Sequence, residues 1–240
     1  MKSFIDLLLP RTCAVCGRRL ATTEEVFCTS CSLHLPFTDF LENQYENEMA
    51  KVFWGSVKHF EKAFALLYHL PHSQSARPVY QLKYFDKPDL GIEIGEMMGK
   101  MMTDNGFFSD IDCILPVPLA KERQRKRGYN QSELLAEGLN NISRLPIIKD
   151  AVRRISFNSS QTNKSRLGRY DNVNNVFELT DKDSIICRLK GKHILIVDDV
   201  VTTGATICSL AKALQPIEGI RISVASIGYA GQWRFVKQSE

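Results

Sequence analysis

From about residue 51 onward, continuous apolar runs alternate with amphipathic stripes. AFALLYHL (63–70) is an apolar run of strand length. Residues 73–84 and 89–103 follow with helical character, the second carrying Ile92, Glu96, Met97 and Gly99 in mixed order. IDCILPVP (111–118) reads as a strand ended by prolines, which cannot donate to a ladder. Residues 130–142 place Leu134, Leu135, Leu139 and Ile142 on one helical face. HILIVDD (193–199) opens with the unbroken apolar run of a parallel strand covered on both sides. Ile207, Leu210, Ala211 and Leu214 then recur at helical spacing, and ISVASIGYA (222–230) predicts a last strand. Strands alternating with helices predict an α/β fold with a doubly wound parallel sheet.

The first 50 residues do not share this rhythm. They contain Cys13, Cys16, Cys28 and Cys31, spaced C-x2-C-x11-C-x2-C. Two residues between thiolates turn both sulfurs of a knuckle toward one ion, and two knuckles complete a tetrahedron. The competing readings are disulfides or paired redox motifs. A cytosolic setting and the lack of a βαβ pattern around either pair disfavour them. Four thiolates leave no open position, so the expected ion is structural zinc, which folds the module without doing chemistry. His34 is expected to be a surface residue. Cys113, Cys187 and Cys208 lie in apolar surroundings and are expected to act as small hydrophobes. The acidic, polar stretch 36–50 reads as a connector, giving a module over 1–50 and a second domain over 51–240.

Composition changes little: 44% of residues are hydrophobic and 24% charged, a globular balance that excludes a mainly disordered chain. No apolar stretch is long enough for a transmembrane helix. The opening MKSFIDLLLP has an acid within a short apolar run, unlike a secretory signal, so a cytoplasmic location is expected. The charge distribution says more than the net +4. Residues 121–180 carry 12 basic against 6 acidic side chains, whereas residues 61–120 carry 5 against 8. The basic segment should meet an anion, either a phosphorylated metabolite or a nucleic-acid backbone.

The segment ILIVDDVVTTGAT (194–206) is the most informative. A buried strand runs to its carboxyl end, the edge at which open α/β sheets bind ligands. Asp198 and Asp199 follow, then Thr202, Thr203, Gly204, Ala205 and Thr206 opening a helix. Unpaired N–H groups at a helix start favour phosphate. Gly204 would admit the backbone to that phosphate, with hydroxyls adding donors. Carboxylates beside a phosphate cradle suit a ligand with a diol or a divalent metal to hold, and a sugar phosphate has the diol. The plainer reading is a Thr202 or Thr203 cap after a buried strand, which leaves two adjacent carboxylates unexplained.

This ordered set resembles the phosphoribosyl pyrophosphate (PRPP) signature of type I phosphoribosyltransferases. The resemblance implies that the acidic pair binds the ribose hydroxyls and that Thr202–Thr206 bind the 5′-phosphate. It also implies a pyrophosphate loop after an earlier strand, for which Pro116, Val117, Pro118 and Leu119 are candidates. Arg123 and Arg127, in R-x-x-x-RGYNQS, and Lys83, in LKY, are basic candidates for the same pocket. The polar, basic stretch 154–172 is a candidate lid, with contacts at Lys164, Arg166 and Arg169. The cysteine module, LKY, PVPL, RGYNQS, Gln161 and Asn172, and VDDVVTTGAT, in this order, resemble the ComF family over residues 1–230. That family is competence-associated and phosphoribosyltransferase-like. The resemblance implies a type I phosphoribosyltransferase-like domain bearing a small N-terminal zinc module.

Three functions remain open at this point. The first is a phosphoribosyltransferase using Mg2+ with PRPP, its acceptor unspecified and no general base evident. The second is an accessory protein for single-stranded DNA in natural transformation. There, residues 121–169 would track phosphates, Tyr129, Phe157 or Tyr170 would stack on bases, and the zinc module would dock a partner such as the competence helicase. A third alternative is a metabolic phosphoribosyltransferase unrelated to DNA uptake.

Overall fold

A computed structural model describes residues 11–85, 87–155 and 176–231. Four parallel strands form its central sheet: β1 (Phe60–Tyr68), β2 (Cys113–Pro116), β5 (His193–Val201) and β6 (Arg221–Tyr229), in the spatial order β1-β6-β5-β2. A further parallel bridge, Ile114 to Ile147, extends the sheet one step beyond β2. Residues 194–197 of β5 are fully buried, as an unbroken apolar run between two strands requires.

The connections explain the layers. From β1 the chain passes through α3 (Arg77–Tyr84) and α4 (Pro88–Asp104), crosses the sheet to β2, and continues outward through α5 (Lys121–Arg127) and α6 (Gln131–Ser143) to residue 147. From β5 it returns the opposite way through α8 (Ala205–Leu214) to β6. Right-handed crossovers running in opposite directions put their helices on opposite faces. The connections leaving β2 and β5 therefore diverge, and a crevice opens between the carboxyl ends of those two strands. Between the two halves lie a two-stranded antiparallel ribbon, β3 (Val152–Arg154) with β4 (Phe177–Leu179), and α7 (Asp183–Leu189).

The pattern in α4 that looked mixed has a packing reason. Leu90, Ile94, Met98 and Met102 form a buried stripe, and the glycines between them face α6. A Cβ on Gly95 would lie 2.4 Å from the Leu135 carbonyl oxygen, and one on Gly138 would lie 2.2 Å from that of Ile92. The two backbones touch, so the contact face is written in glycine and carries little hydropathy.

Strand and helix ends differ from expectation by a few residues. The expected strand over 111–118 pairs only over Cys113–Pro116, while β5 runs two residues past the expected 193–199. The supposed connector is also more structured than its polarity suggested. Its Pro36–Thr38 segment hydrogen-bonds along the edge of β1. Phe40 is buried between the rings of Tyr68 and Tyr229. The short helix α2 (Glu48–Phe53) follows, capped by Asn47, whose side chain accepts from the Ala50 N–H. Upstream, α1 (Thr29–His34) belongs to the cysteine module.

Candidate phosphate-binding site and cysteine cluster

β2 makes its last sheet pairing at Pro116, opposite Val197. β5 continues, still paired to β6, to Val201. Asp198 and Asp199 therefore stand on the extension of β5, inside the strand, where β2 has already left. The open side is a cavity of about 1060 Å3. Six basic side chains line it, Lys83, Arg123, Arg125, Lys126, Arg127 and Arg154, against two carboxylates, Asp198 and Asp199. That excess suits a ligand carrying several negative charges.

Each carboxylate has a distinct setting. Asp199 Oδ2 lies 2.9 Å from Lys83 Nζ at the end of α3, a half-buried ion pair. Asp198 Oδ1 accepts from its neighbour's N–H at 2.9 Å and from Ser132 Oγ at 3.3 Å. Burial first, and the charge of Asp199 second, push Asp198 up to about 7. A carboxyl this reluctant to ionise is relieved by cations or by hydroxyl donors brought by a ligand.

The start of α6 holds the cavity wall in place. Asn130 caps the helix by accepting from the Ser132 N–H at 3.2 Å, and its amide donates to the Val117 carbonyl at 3.0 Å. The cap thus fixes the loop after β2. Tyr129 donates its hydroxyl to the Leu82 carbonyl at 2.8 Å, tying this wall to the helix that carries Lys83. Arg127 donates to Gln131 Oε1. Gln131 is 2% exposed, and its Nε2 is buried with no hydrogen-bond partner. An orphan donor on a cavity wall is a place for an acceptor to bind.

Most of the expected site residues come together here. Lys83, Val117, Pro118, Leu119, Arg123, Arg127, Asp198, Asp199 and Thr206 line one cavity. Pro116 does not: it is the last residue of β2, buried within the sheet. Thr202, Thr203 and Ala205 are exposed, and of that turn only Thr206 lines the cavity. Gly204 has a different reason from the one expected. Its φ is +74°, and a Cβ there would lie 2.6 Å from Val52 Cγ1 of α2, so packing and backbone geometry both demand glycine. Lys164, Arg166 and Arg169, like Phe157, Gln161, Tyr170 and Asn172 of the expected lid, lie outside the described residues.

Sequence reasoning missed Arg154, Gln131 and Ser132 at this site. Arg154 lies at the end of β3 with its guanidinium 5.3 Å from the Phe177 ring centroid. Burial and nearby Arg123 lower its pKa, while Asp198 opposes that shift. Only a pairing with β4 places it at the cavity, and residues 154–172 gave no periodicity to reveal that. Gln131 and Ser132 were in view within RGYNQS but carry no charge to single them out.

At the other end of the chain, Cys13, Cys16, Cys28 and Cys31 bring their sulfurs within 4.8 Å of one another. The Cys16 and Cys28 sulfurs are 3.7 Å apart, and tetrahedral Zn–S bonds of about 2.3 Å imply sulfurs about 3.8 Å apart. Cys13 Sγ accepts from the Val15 and Cys28 N–H groups, which favours its thiolate. Glu24 organises the second knuckle. It accepts from the N–H groups of Thr29 and Ala21, and these bonds hold its carboxyl down at about 2. The cluster can therefore hold a metal such as zinc. His34 is exposed beside it, and all seven cysteines are free thiols. Cys187 is exposed, contrary to expectation, because α7 is a short surface helix that buries Leu189 instead.

A model of the phosphoribosyl transferase domain matches residues 140–238. Competence protein F of Haemophilus influenzae is 32% identical over 119 residues, covering 50% of this chain and 51% of that protein. Competence protein ComFC of Bacillus subtilis is 36% identical over 107 residues, covering 42% and 37%. The chain is similar to these ComF-family proteins. DNA utilization protein YhgH of Escherichia coli O157:H7 is 27% identical over 210 residues, covering 84% of this chain and 83% of that protein. The first match spans about half the length of its relative. The domain match covers β3, β4, α7, β5, α8 and β6, which include the carboxylate pair and its turn. No helix among the described residues is long and apolar enough to cross a membrane.

Proposed function

We propose that this chain binds PRPP with magnesium in the crevice between β2 and β5, and that it serves the handling of single-stranded DNA in natural transformation. One observation carries the first part: two adjacent carboxylates, one with a raised pKa, at the sheet's divergence point beneath six basic side chains. In this reading Asp198 and Asp199 accept from the ribose 2′- and 3′-hydroxyls. Lys83 then leaves Asp199 for a phosphoryl oxygen. The 5′-phosphate sits on the Thr202–Thr206 turn at the start of α8, where N–H groups lack intrahelical partners. The loop Val117–Leu119, fixed by Asn130, holds pyrophosphate, with Arg123, Arg127 and the orphan amide of Gln131 as donors. Magnesium would bind ligand oxygens beside the acidic pair and offset their charge. The four cysteines hold structural zinc. Cysteines kept as a metal cluster and not as disulfides suit a cytoplasmic setting.

The second part rests on the names of the relatives and on α5, which buries none of its residues and carries Arg125, Lys126 and Arg127 in its last turn. Calorimetric titration with PRPP and magnesium tests the first part, with ribose 5-phosphate and pyrophosphate as separate arms. Binding of PRPP at least tenfold tighter than either fragment is expected. No binding of PRPP would overturn the reading.

A further inference from the structure

Helix α3 buries one side and leaves two large rings exposed, with a third on the residue just past its end. Pro78, Val79 and Leu82 pack inward. Tyr80, Tyr84 and Phe85 are 55%, 65% and 59% exposed. They are not scattered. The Tyr80 ring lies 4.7 Å from that of Tyr84 and 5.7 Å from that of Phe85, centroid to centroid. Three contiguous exposed aromatics within six residues form a patch that the fold does not use.

The surroundings of the patch decide what it suits. Arg127 of α5 sits with its guanidinium 5.9 Å from the centre of the Tyr84 ring. Tyr84 also lines the cavity beside Arg123, Arg125 and Lys126. Rings therefore adjoin a basic helix whose only acid is Glu122. PRPP has no aromatic group and gives the rings nothing to do. A duplex buries its base faces in its own stack. A single strand offers both faces and phosphates, and stacking on aromatics beside basic groups is how sequence-neutral strand binding works.

We propose that Tyr80, Tyr84 and Phe85 form a stacking platform for the bases of single-stranded nucleic acid, with α5 taking the phosphates. The strand runs past the mouth of the cavity and does not enter it. The proposal rests on the DNA part of the reading above and gives it a location.

The test uses the full, zinc-loaded chain and a fluorescent oligothymidine of about 12 nucleotides, read by anisotropy. Tyr80→Ala with Phe85→Ala removes two rings, neither of which lines the cavity. Affinity should fall at least tenfold, with the salt slope kept and the PRPP titration unchanged. Tyr80→Phe with Phe85→Tyr keeps both rings and should restore binding. Neutralising Arg125 and Lys126 should instead flatten the salt slope, by about 0.7 for each phosphate that is no longer neutralised. Unchanged affinity in the alanine variant, with the parent binding strand, would overturn the platform and leave the DNA reading standing. A parent that binds no strand would overturn both. Equal loss of duplex and single-strand binding would overturn stacking. A concentration-dependent dimer abolished by the alanine variant would assign the patch to a second copy and also overturn the proposal.

Discussion

The two ends of the parallel sheet both hold charged groups, and they treat them in opposite ways. At the amino end, Lys62 of β1 is 1% exposed, and His193 of β5 and Ser223 of β6 are 0% exposed. Lys62 donates to the Phe107 carbonyl and pairs with Asp110. His193 lies between Asp110 and Ser223, at 3.1 and 2.8 Å, and Arg221 closes on Asp110 at 3.1 Å. Serine, histidine and aspartate in line look like a nucleophile relay, yet Ser223 is sealed in the core and no substrate reaches it. At the carboxyl end, Asp198 is destabilised as an anion, Gln131 has an orphan donor, and a cavity stands open. Closed networks add to the fold; open ones are completed by a ligand.

The largest predicted effect is on the closed end. Asp110→Ala leaves Lys62 buried with a carbonyl and the rings of Tyr45 and Phe107 but no countercharge, and should cost about 2–3 kcal/mol, below the usual buried-pair loss because Asp110 is partly exposed. Lys62→Met keeps the stem, removes the buried charge and should cost much less. Chemical denaturation measures both, and neither should change PRPP affinity. A ligand effect from either would break the separation of the two ends. Next comes Gly204→Ala, which should cost about 1–3 kcal/mol, through strain at φ +74° and collision with Val52. Its readout is the same denaturation curve.

The ends also differ in pH response. Burial raises Asp110, but Lys62, His193 and Arg221 outweigh it and hold its carboxyl below the ordinary value of 3.8. Its contribution is present above that value and is lost as pH falls below it. Asp198 is raised, so the folded chain keeps a proton that the unfolded chain releases between 3.8 and about 7. Stability therefore declines as pH rises through that window and is lowest, from this group, above it. Asp198→Asn should remove the decline and raise Tm at pH 8 by about 2–4 °C. Thermal melts from pH 5 to 8 check the sign. The smallest effect belongs to Ser132→Ala, which removes one long hydrogen bond to Asp198 and should weaken PRPP by about two- to threefold.

Much of this was legible in the sequence, for a physical reason in each case. Central strands are buried on both faces, so 194–197 announced itself as an apolar run. The cysteine spacing and the Asp-Asp turn survived as patterns because their chemistry needs adjacent residues. Features formed by tertiary approach left little trace. The α4–α6 contact is written in Gly95 and Gly138, whose apparent polarity hides a tight interface. The stretch 36–50 looked like a linker because Phe40, Met49 and Ala50 are buried by neighbours far along the chain. Arg154 reaches the cavity only through the β3–β4 ribbon. The amino-end network was invisible, since Lys62, Asp110, His193 and Ser223 are brought together only by strand order.

The most direct test of the account is a titration of Asp198→Asn/Asp199→Asn with PRPP and magnesium, alongside the parent and with an unfolding curve for each. The account predicts that the parent binds, that the double variant loses at least a hundredfold in affinity, and that its stability at pH 8 equals or exceeds the parent's. A variant that binds as well as the parent, or that loses stability in step with affinity, would contradict the claim that the carboxyl end is kept open for a ligand.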